Sequence, residues 1–271
     1  MQQDTVTTRP GTAGMLTDKV VLICGVGPDL GRSMALRSAQ AGADVVLAAR
    51  TESMLCEVAA EVEALGRRAL TVPTDLTDAA SRAELVDRSL GYFGRVDGLI
   101  NSAFVQPPLA PLLDADLDAM RGWTDINVRA SVGLVQLLAD PLAETRGSIV
   151  LVNSMVLRNK LPGFGAYRMD KAALLAAARS LSLELGPRGV RVNSVAPGYI
   201  WGSKVQRGFE RRAAARGVDA HEVYEEIASG ADLRRLPTPD EIADAAVFFT
   251  SDLASGISGQ CLDVNCGHAH H

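Results

Sequence analysis

Lys19-Val-Val-Leu-Ile-Cys24 runs directly into Gly25-Val-Gly27-Pro-Asp29-Leu-Gly31-Arg32. The first six residues are apolar and rich in β-branched side chains, which reads as a buried strand. The glycines permit a tight turn, and the stretch from about Leu30 to Ala41 then has helical spacing. A glycine turn between a first strand and a helix lets a pyrophosphate approach the backbone and the helix N-terminus. Gly25, Gly27, Asp29, Leu30 and Gly31 are therefore candidate cofactor-binding residues. A carboxylate beside a pyrophosphate is repulsive unless it caps the helix or faces solvent. Asp29 stands where an N-cap belongs, so the turn is expected to change shape and still bind.

The same alternation continues outward. Strands are expected at Asp44–Ala49, Ala69–Val72, Val96–Ile100, Ser148–Val152, Val190–Val195 and Cys261–Val264. Helices are expected from a Thr51 cap to about Leu65, over 79–92, over 116–143 with a break near Gly122, and over 166–185. Thr238-Pro-Asp-Glu241 is a capping box with proline at the first helical position, opening a helix to about Thr250. Strands alternating with helices predict a single-domain α/β fold: a Rossmann-like, doubly wound parallel sheet with helices on both faces. Ligands of such sheets bind beyond the carboxyl ends of the strands, near the switch point. The domain is expected over 15–267, between tails at 1–14 and 268–271. Residues 199–236 form an irregular helical insertion, expected to be a substrate lid.

A chain of 271 residues, 47% hydrophobic and 22% charged, supports one large core. Its net charge of −5 and pI near 5.4 argue against a nucleic-acid surface. No apolar run approaches the ~18 residues of a membrane span. The N-terminus lacks the basic-then-apolar layout of a signal peptide, which points to a cytoplasmic protein. The cysteines at 24, 56, 261 and 266 form no Cys-x-x-Cys pair, and Cys24 and Cys261 read as core fillers. The end, Cys266-Gly-His-Ala-His-His271, lacks supporting carboxylates and reads as a mobile tail, so no metal site is expected.

Chemistry is concentrated in Ser154, Tyr167 and Lys171, the last two ending a Tyr-Arg-Met-Asp-Lys run. Four residues span just over one helical turn, so both side chains project from one face. A phenol normally ionises near pH ~10. Bringing it to ~7 needs roughly 4 kcal/mol at ~1.36 kcal/mol per pH unit, and one charge at ~4 Å supplies about that at an effective dielectric of ~20. A neighbouring ammonium is thus sufficient to make the tyrosine a proton shuttle, and a positively charged cofactor ring would help.

With these motifs in this order, the chain resembles the short-chain dehydrogenase/reductase family in its shorter single-domain form. Cys24-Gly25 and Gly31 match the outer parts of the family's glycine turn, with Asp29 in place of its middle glycine. Asn101-Ser-Ala103 follows the Asn-Asn-Ala-Gly segment, with Phe104 replacing its glycine. Asn127, Ser154, Tyr167, Lys171 and Pro197-Gly198 match, and the likeness spans about Thr17 to Gly267. The resemblance implies that Tyr167 is the general acid in reduction and the base in oxidation. Lys171 would lower the phenol's pKa and hold the nicotinamide ribose, Ser154 would hydrogen-bond the substrate oxygen, and Asn127 would hold a water behind Lys171. It places Asn101 and Ala103 against the cofactor, Asp75 and Leu76 near the adenine, and Pro197, Gly198 and Ile200 around the carboxamide, with Ser203 standing in for the family's threonine. It also implies a homodimer or homotetramer.

An acid at the end of strand two would bond the ribose 2′-hydroxyl and select NAD, whereas an arginine accommodates a 2′-phosphate. Here Ala48-Ala49-Arg50-Thr51 offers no acid and one arginine, so NADP(H) is preferred over NAD(H). The substrate pocket is expected to draw on Phe104, Val105, Met155, Val156, Leu157, Leu161, Phe164, Tyr199 and Trp201. Phe104 either crowds the nicotinamide or walls the pocket, and both readings stay open. The apolar set suggests a carbonyl or secondary alcohol on a hydrophobic, even cyclic, skeleton. Arg158 and Lys160 are loop cations available to an acidic group, while Arg207 to Arg216 reads as an exposed helix face. The competing functions are an NAD-dependent secondary-alcohol dehydrogenase, a 3-ketoacyl reductase and a dinucleotide-binding regulator without turnover.

Overall fold

The computed structural model describes Thr12, residues 14–159 and residues 161–270. Lys160, His271 and nearly all of the tail over 1–14 lie outside the described residues. Among the described residues, seven strands form one sheet in which every neighbouring pair is parallel. They are β1 (Val20–Cys24), β2 (Asp44–Ala49), β3 (Ala69–Pro73), β4 (Gly98–Asn101), β5 (Ser148–Val152), β6 (Arg191–Pro197) and β7 (Cys261–Val264). Their order, β3-β2-β1-β4-β5-β6-β7, reverses direction between β1 and β4. Cys24 pairs with Asn101 across that boundary, so the two loops that follow open side by side at the switch point.

The helices are α1 (Leu30–Gln40), α2 (Glu52–Ala64), α3 (Ala79–Phe93), α4 (Leu117–Thr124), α5 (Ala130–Thr145), α6 (Gly165–Leu185), α7 (Ser203–Arg216), α8 (Ala220–Ala228) and α9 (Pro239–Thr250). Because both sheet faces are covered, the central strands read as continuous apolar runs rather than alternating ones. One core places Met34, Leu55, Val58 and Val247 of α1, α2 and α9 against Val21, Ile23 and Leu47. The other places Leu85, Leu134, Leu138 and Leu174 of α3, α5 and α6 against Leu22, Val46 and Leu99. A third, small cluster built on Phe209, Ala213, Val223 and Leu236 holds α7 and α8 together as a separate layer over the strand ends.

The capping box of α9 forms in both directions: Glu241 N–H donates to Thr238 Oγ1 (3.3 Å), and Thr238 N–H donates to Glu241 Oε2 (2.9 Å). Thr51 differs from expectation, since it precedes α2 but makes no side-chain cap bond. The expected break near Gly122 is instead a π-helical turn at Asp125–Arg129, which joins α4 to α5 without interrupting the helical path. Residues 268–270 are tied down rather than loose: Asn265 Nδ2 donates to Ala269 O (2.9 Å), and the His268 ring lies 5.9 Å from that of Tyr199.

Candidate active site

The carboxyl ends of the strands open into a cleft of about 1120 Å³. Its floor is the glycine turn. Gly25 has φ +83°, and a Cβ there would lie 2.5 Å from Ala103 N, so the turn packs directly on the segment after β4. A Cβ on Gly31 would lie 2.7 Å from Val26 Cα. Gly27 has nothing within 4 Å, leaving open space above the turn. The backbone is thus bare where a pyrophosphate would approach and crowded where the turn must close, which fits a dinucleotide.

Asp29 lines the cleft and stands at the N-cap position of α1, where its carbonyl accepts from Ser33 N–H (3.0 Å) but its side chain makes no cap bond. Its carboxylate reaches across to α7, accepting from Ser203 N–H at 3.0 Å and from the Ser203 hydroxyl at 2.8 Å. The expected cap therefore serves the lid helix, whose first turn otherwise has no side-chain cap. Gly202 makes this approach possible, because a Cβ there would lie 2.9 Å from Asp29 Cγ. The Ser203 hydroxyl, expected at the cofactor, is committed to Asp29.

At the β2 and β3 ends, Arg50, Thr51, Asp75 and Leu76 line the cleft. Thr77 holds the Asp75 carboxylate below its ordinary range by donating through its hydroxyl (2.7 Å) and N–H (2.9 Å); burial opposes this and Arg50 assists it. Ala103 lines the cleft, but Asn101 does not. Its amide is buried, donating to Ser131 Oγ (2.9 Å) and accepting from Ala103 N–H (3.0 Å). The Asn101 side chain shapes the loop from behind. Pro197, Gly198, Tyr199 and Ile200 border the cleft after β6, and a Cβ on Gly198 would lie 2.9 Å from Asn265 Cβ.

Ser154, Tyr167 and Lys171 all line the same cleft. Ser154 lies two residues past β5 and accepts from Val156 N–H (3.2 Å), which fixes its direction. Lys171 is 3% exposed, donates to Val152 O (2.7 Å), and sits 5.8 Å from the centre of the Tyr167 ring. Burial lowers the Lys171 ammonium to about 8, with Asp170 opposing. Burial raises the Tyr167 phenol, and a hydrogen bond with Ser154 pulls it back. This corrects the expected depression of the phenol: the protein alone desolvates both groups, and the lysine bonds a carbonyl rather than the hydroxyl.

Asn127 lies in the π-turn, 2% exposed and outside the cleft wall. Its Oδ1 accepts from Val105 N–H (2.8 Å), and its Nδ2 donates to Val105 O (2.9 Å) and Asp170 Oδ2 (2.8 Å). Both amide hydrogens are spent, which leaves a water at Asn127 the second lone pair of Oδ1 or the main chain. Phe104, beside the pinned Val105, presents its ring 5.3 Å from Lys171 Nζ, 5.1 Å from Lys204 Nζ and 6.1 Å from the Tyr167 ring. It lies at the catalytic end of the cleft.

Met155, Val156, Leu161 and Phe164 line the cleft with Phe104, Val105 and Tyr199. Trp201 and Leu157 do not. Trp201 packs into the lid's own core, 4.6 Å from Tyr224 and 5.7 Å from Phe209 between ring centres. Arg158 is drawn to Asp263 (3.3 Å) and does not line the cleft. Asn153 and Lys204, not singled out in the sequence, also line the cleft, as do Arg211 and Arg212, expected on an exposed helix face. Asn153 is 2% exposed, and neither end of its amide has a partner among the described residues. Arg168, inside the Tyr-x-x-x-Lys run, holds the loop after Ser154 by donating to Val156 O (3.0 Å) and Asn159 O. None of these placements had a local signal, because which side chains reach the cleft is set by how segments distant in sequence pack.

Among the described residues no group of side chains is placed to hold a metal ion, and no helix is long and apolar enough to cross a membrane. The sequence model of a family described as "Enoyl-(Acyl carrier protein) reductase" matches residues 25–269. An uncharacterized oxidoreductase of Mycobacterium tuberculosis is 37% identical over 254 residues, covering 93% of this chain and 92% of that one. The 7α-hydroxysteroid dehydrogenase of Escherichia coli is 31% identical over 253 residues, covering 93% and 94%. The crystal structure of carveol dehydrogenase from Mycobacterium avium in complex with NAD superposes with a TM-score of 0.88 at 26% identity, covering 94% of this chain and 99% of that chain. With its glycine turn, its Ser-Tyr-Lys cleft and these matches together, the chain belongs to the short-chain dehydrogenase/reductase family, NAD(P)-dependent oxidoreductases acting on CH–OH groups.

Proposed function

We propose that this enzyme transfers hydride between NADP(H) and a ketone or secondary alcohol on a mainly hydrophobic skeleton, with Tyr167 as the proton donor and acceptor. The carrying observation is the convergence of Ser154, Tyr167 and Lys171 on one largely apolar cleft beside a bare glycine turn. A bound nicotinamide dinucleotide supplies or takes the hydride. In reduction Ser154 donates a hydrogen bond to the carbonyl oxygen, where negative charge develops. Tyr167 gives its proton to that oxygen, and the Lys171 ammonium stabilises the phenolate left behind. In oxidation the same phenolate removes the alcohol proton. Asn127 acts as a positioning residue, holding Val105 and Asp170 around the lysine.

The likeness to dehydrogenases named for a steroid alcohol and for carveol supports an alcohol on a ring skeleton. NADP(H) is favoured because β2 ends in Ala49 with no carboxylate, while Arg50 lines the cleft. Comparing kcat/KM for NADPH and NADH tests this choice directly: at least tenfold preference for NADPH, lost in Arg50→Ala, is expected. A tenfold preference for NADH would overturn it. A homodimer or homotetramer is part of the same reading, supported by exposed Leu137 on α5 and exposed Met169 and Leu183 on α6. Light scattering that finds only monomer at micromolar concentration would contradict it.

A further inference from the structure

The lid contributes charge as well as apolar surface. Lys204, Arg211 and Arg212 of α7 all line the cleft. Their spacing puts them on one side of the helix, with the arginines about 11 Å beyond the lysine at ~1.5 Å per residue. None of the three pairs with a carboxylate among the described residues, whereas Arg216, at the end of the same helix, pairs with Glu226 (2.6 Å). The two acids that line the cleft hydrogen-bond neutral partners. Asp29 accepts two hydrogen bonds from Ser203, Asp75 accepts two from Thr77, and Glu210 lines a separate cavity beside Trp201 and Tyr224. A protein with a net charge of −5 thus turns three cations that form no ion pair among the described residues into its own cleft, which also holds the carboxylates of Asp29 and Asp75.

The two ends of α7 face different parts of that cleft. Ser203 is tied to the glycine turn through Asp29, and Lys204 lies 5.1 Å from the Phe104 ring. The near end therefore belongs with the dinucleotide and the reacting carbon. Arg211 and Arg212 lie two turns further along α7 than Lys204 and line the same cleft. Resting on the oxidoreductase reading above, we infer that the substrate is an amphipathic oxo- or hydroxy-acid. Its ketone meets Ser154 and Tyr167, its apolar skeleton fills the cleft, and its carboxylate meets Arg211 and Arg212. Arginine suits this task because its planar fork matches a carboxylate bidentately.

A cationic lid could equally serve the cofactor's phosphates, and the test separates the two. A keto-acid on a ring skeleton and its methyl ester are titrated calorimetrically into wild type and into Arg211→Gln/Arg212→Gln, each saturated with NADP⁺. Thermal unfolding and circular dichroism verify that the exposed double variant is folded. Wild type is expected to bind the acid at least tenfold more tightly than the ester, and the double variant to bring that ratio within twofold of unity. Affinity for NADP⁺ and NAD⁺ is expected to change less than threefold. Equal binding of acid and ester by wild type, or a dinucleotide affinity that falls tenfold in the double variant, overturns the inference and leaves the redox reading standing. Preferential acid binding with no NADPH oxidation for any ketone overturns the redox reading and leaves the charge recognition in place.

Discussion

Replacing Lys171 by methionine removes a buried cation and with it a specific pH dependence of stability. The lysine is 3% exposed, and burial lowers its pKa from 10.5 to about 8. Between those values the unfolded chain carries a proton that the folded one lacks, so unfolding free energy rises with pH across the window. Below pH 8 the cost of burying the ammonium is fully present; above 10.5 it is gone. The limiting cost is about 3.4 kcal/mol at ~1.36 kcal/mol per pH unit, and roughly 2 kcal/mol of it is relieved between pH 7 and pH 9.5. The Tyr167 phenol, raised by burial, titrates above this range and contributes little within it. Urea unfolding of cofactor-free wild type and Lys171→Met at half-unit steps from pH 7 to 9.5 provides the assay. The difference, wild type minus variant, is expected to grow in favour of wild type by about 2 kcal/mol. A difference flat to within about 0.5 kcal/mol, or one that falls with pH, would refute the placement of a desolvated lysine behind the tyrosine.

Asp29→Ala takes the cap from α7 rather than from α1, and a lost cap costs about 1–2 kcal/mol. Limited proteolysis should therefore open the chain near Gly202 and Ser203, with α1 untouched; cleavage near Leu30 instead would contradict the long-range cap. Asn127→Ala removes three hydrogen bonds, one of them to a buried carboxylate, and should lower stability by about 3 kcal/mol in chemical denaturation. The same variant should lower kcat more than it raises KM, since Asn127 lies outside the cleft wall.

The strands were legible because their signals are local. Continuous apolar runs at Val20–Cys24 and Ser148–Val152 can satisfy their burial only between two helical layers. Thr238 and Glu241 were legible for the same reason, as a cap and its reciprocal partner three residues apart. Asp29 misled because its partner, Ser203, is 174 positions away, and a carboxylate before a helix looks the same whichever helix it serves. Trp201 misled by composition: an aromatic beside the cleft strand packs equally well into the lid core with Tyr224. Arg158 looked available and is drawn to Asp263, while Arg211 and Arg212, which looked like solvated surface, line the cleft. The phenol's pKa failed for an energetic reason. A neighbouring charge is easily counted from spacing, but the desolvation that opposes it depends on burial that only the folded chain reveals.

The proton-transferring role of one tyrosine is tested most directly by Tyr167→Phe, assayed for NADPH oxidation against a panel of cyclic ketones with dinucleotide affinity measured on the same protein. Loss of kcat by at least a thousandfold, with affinity for the dinucleotide within threefold of wild type, is the predicted result. Turnover within tenfold of wild type would contradict the assignment of proton transfer to this hydroxyl.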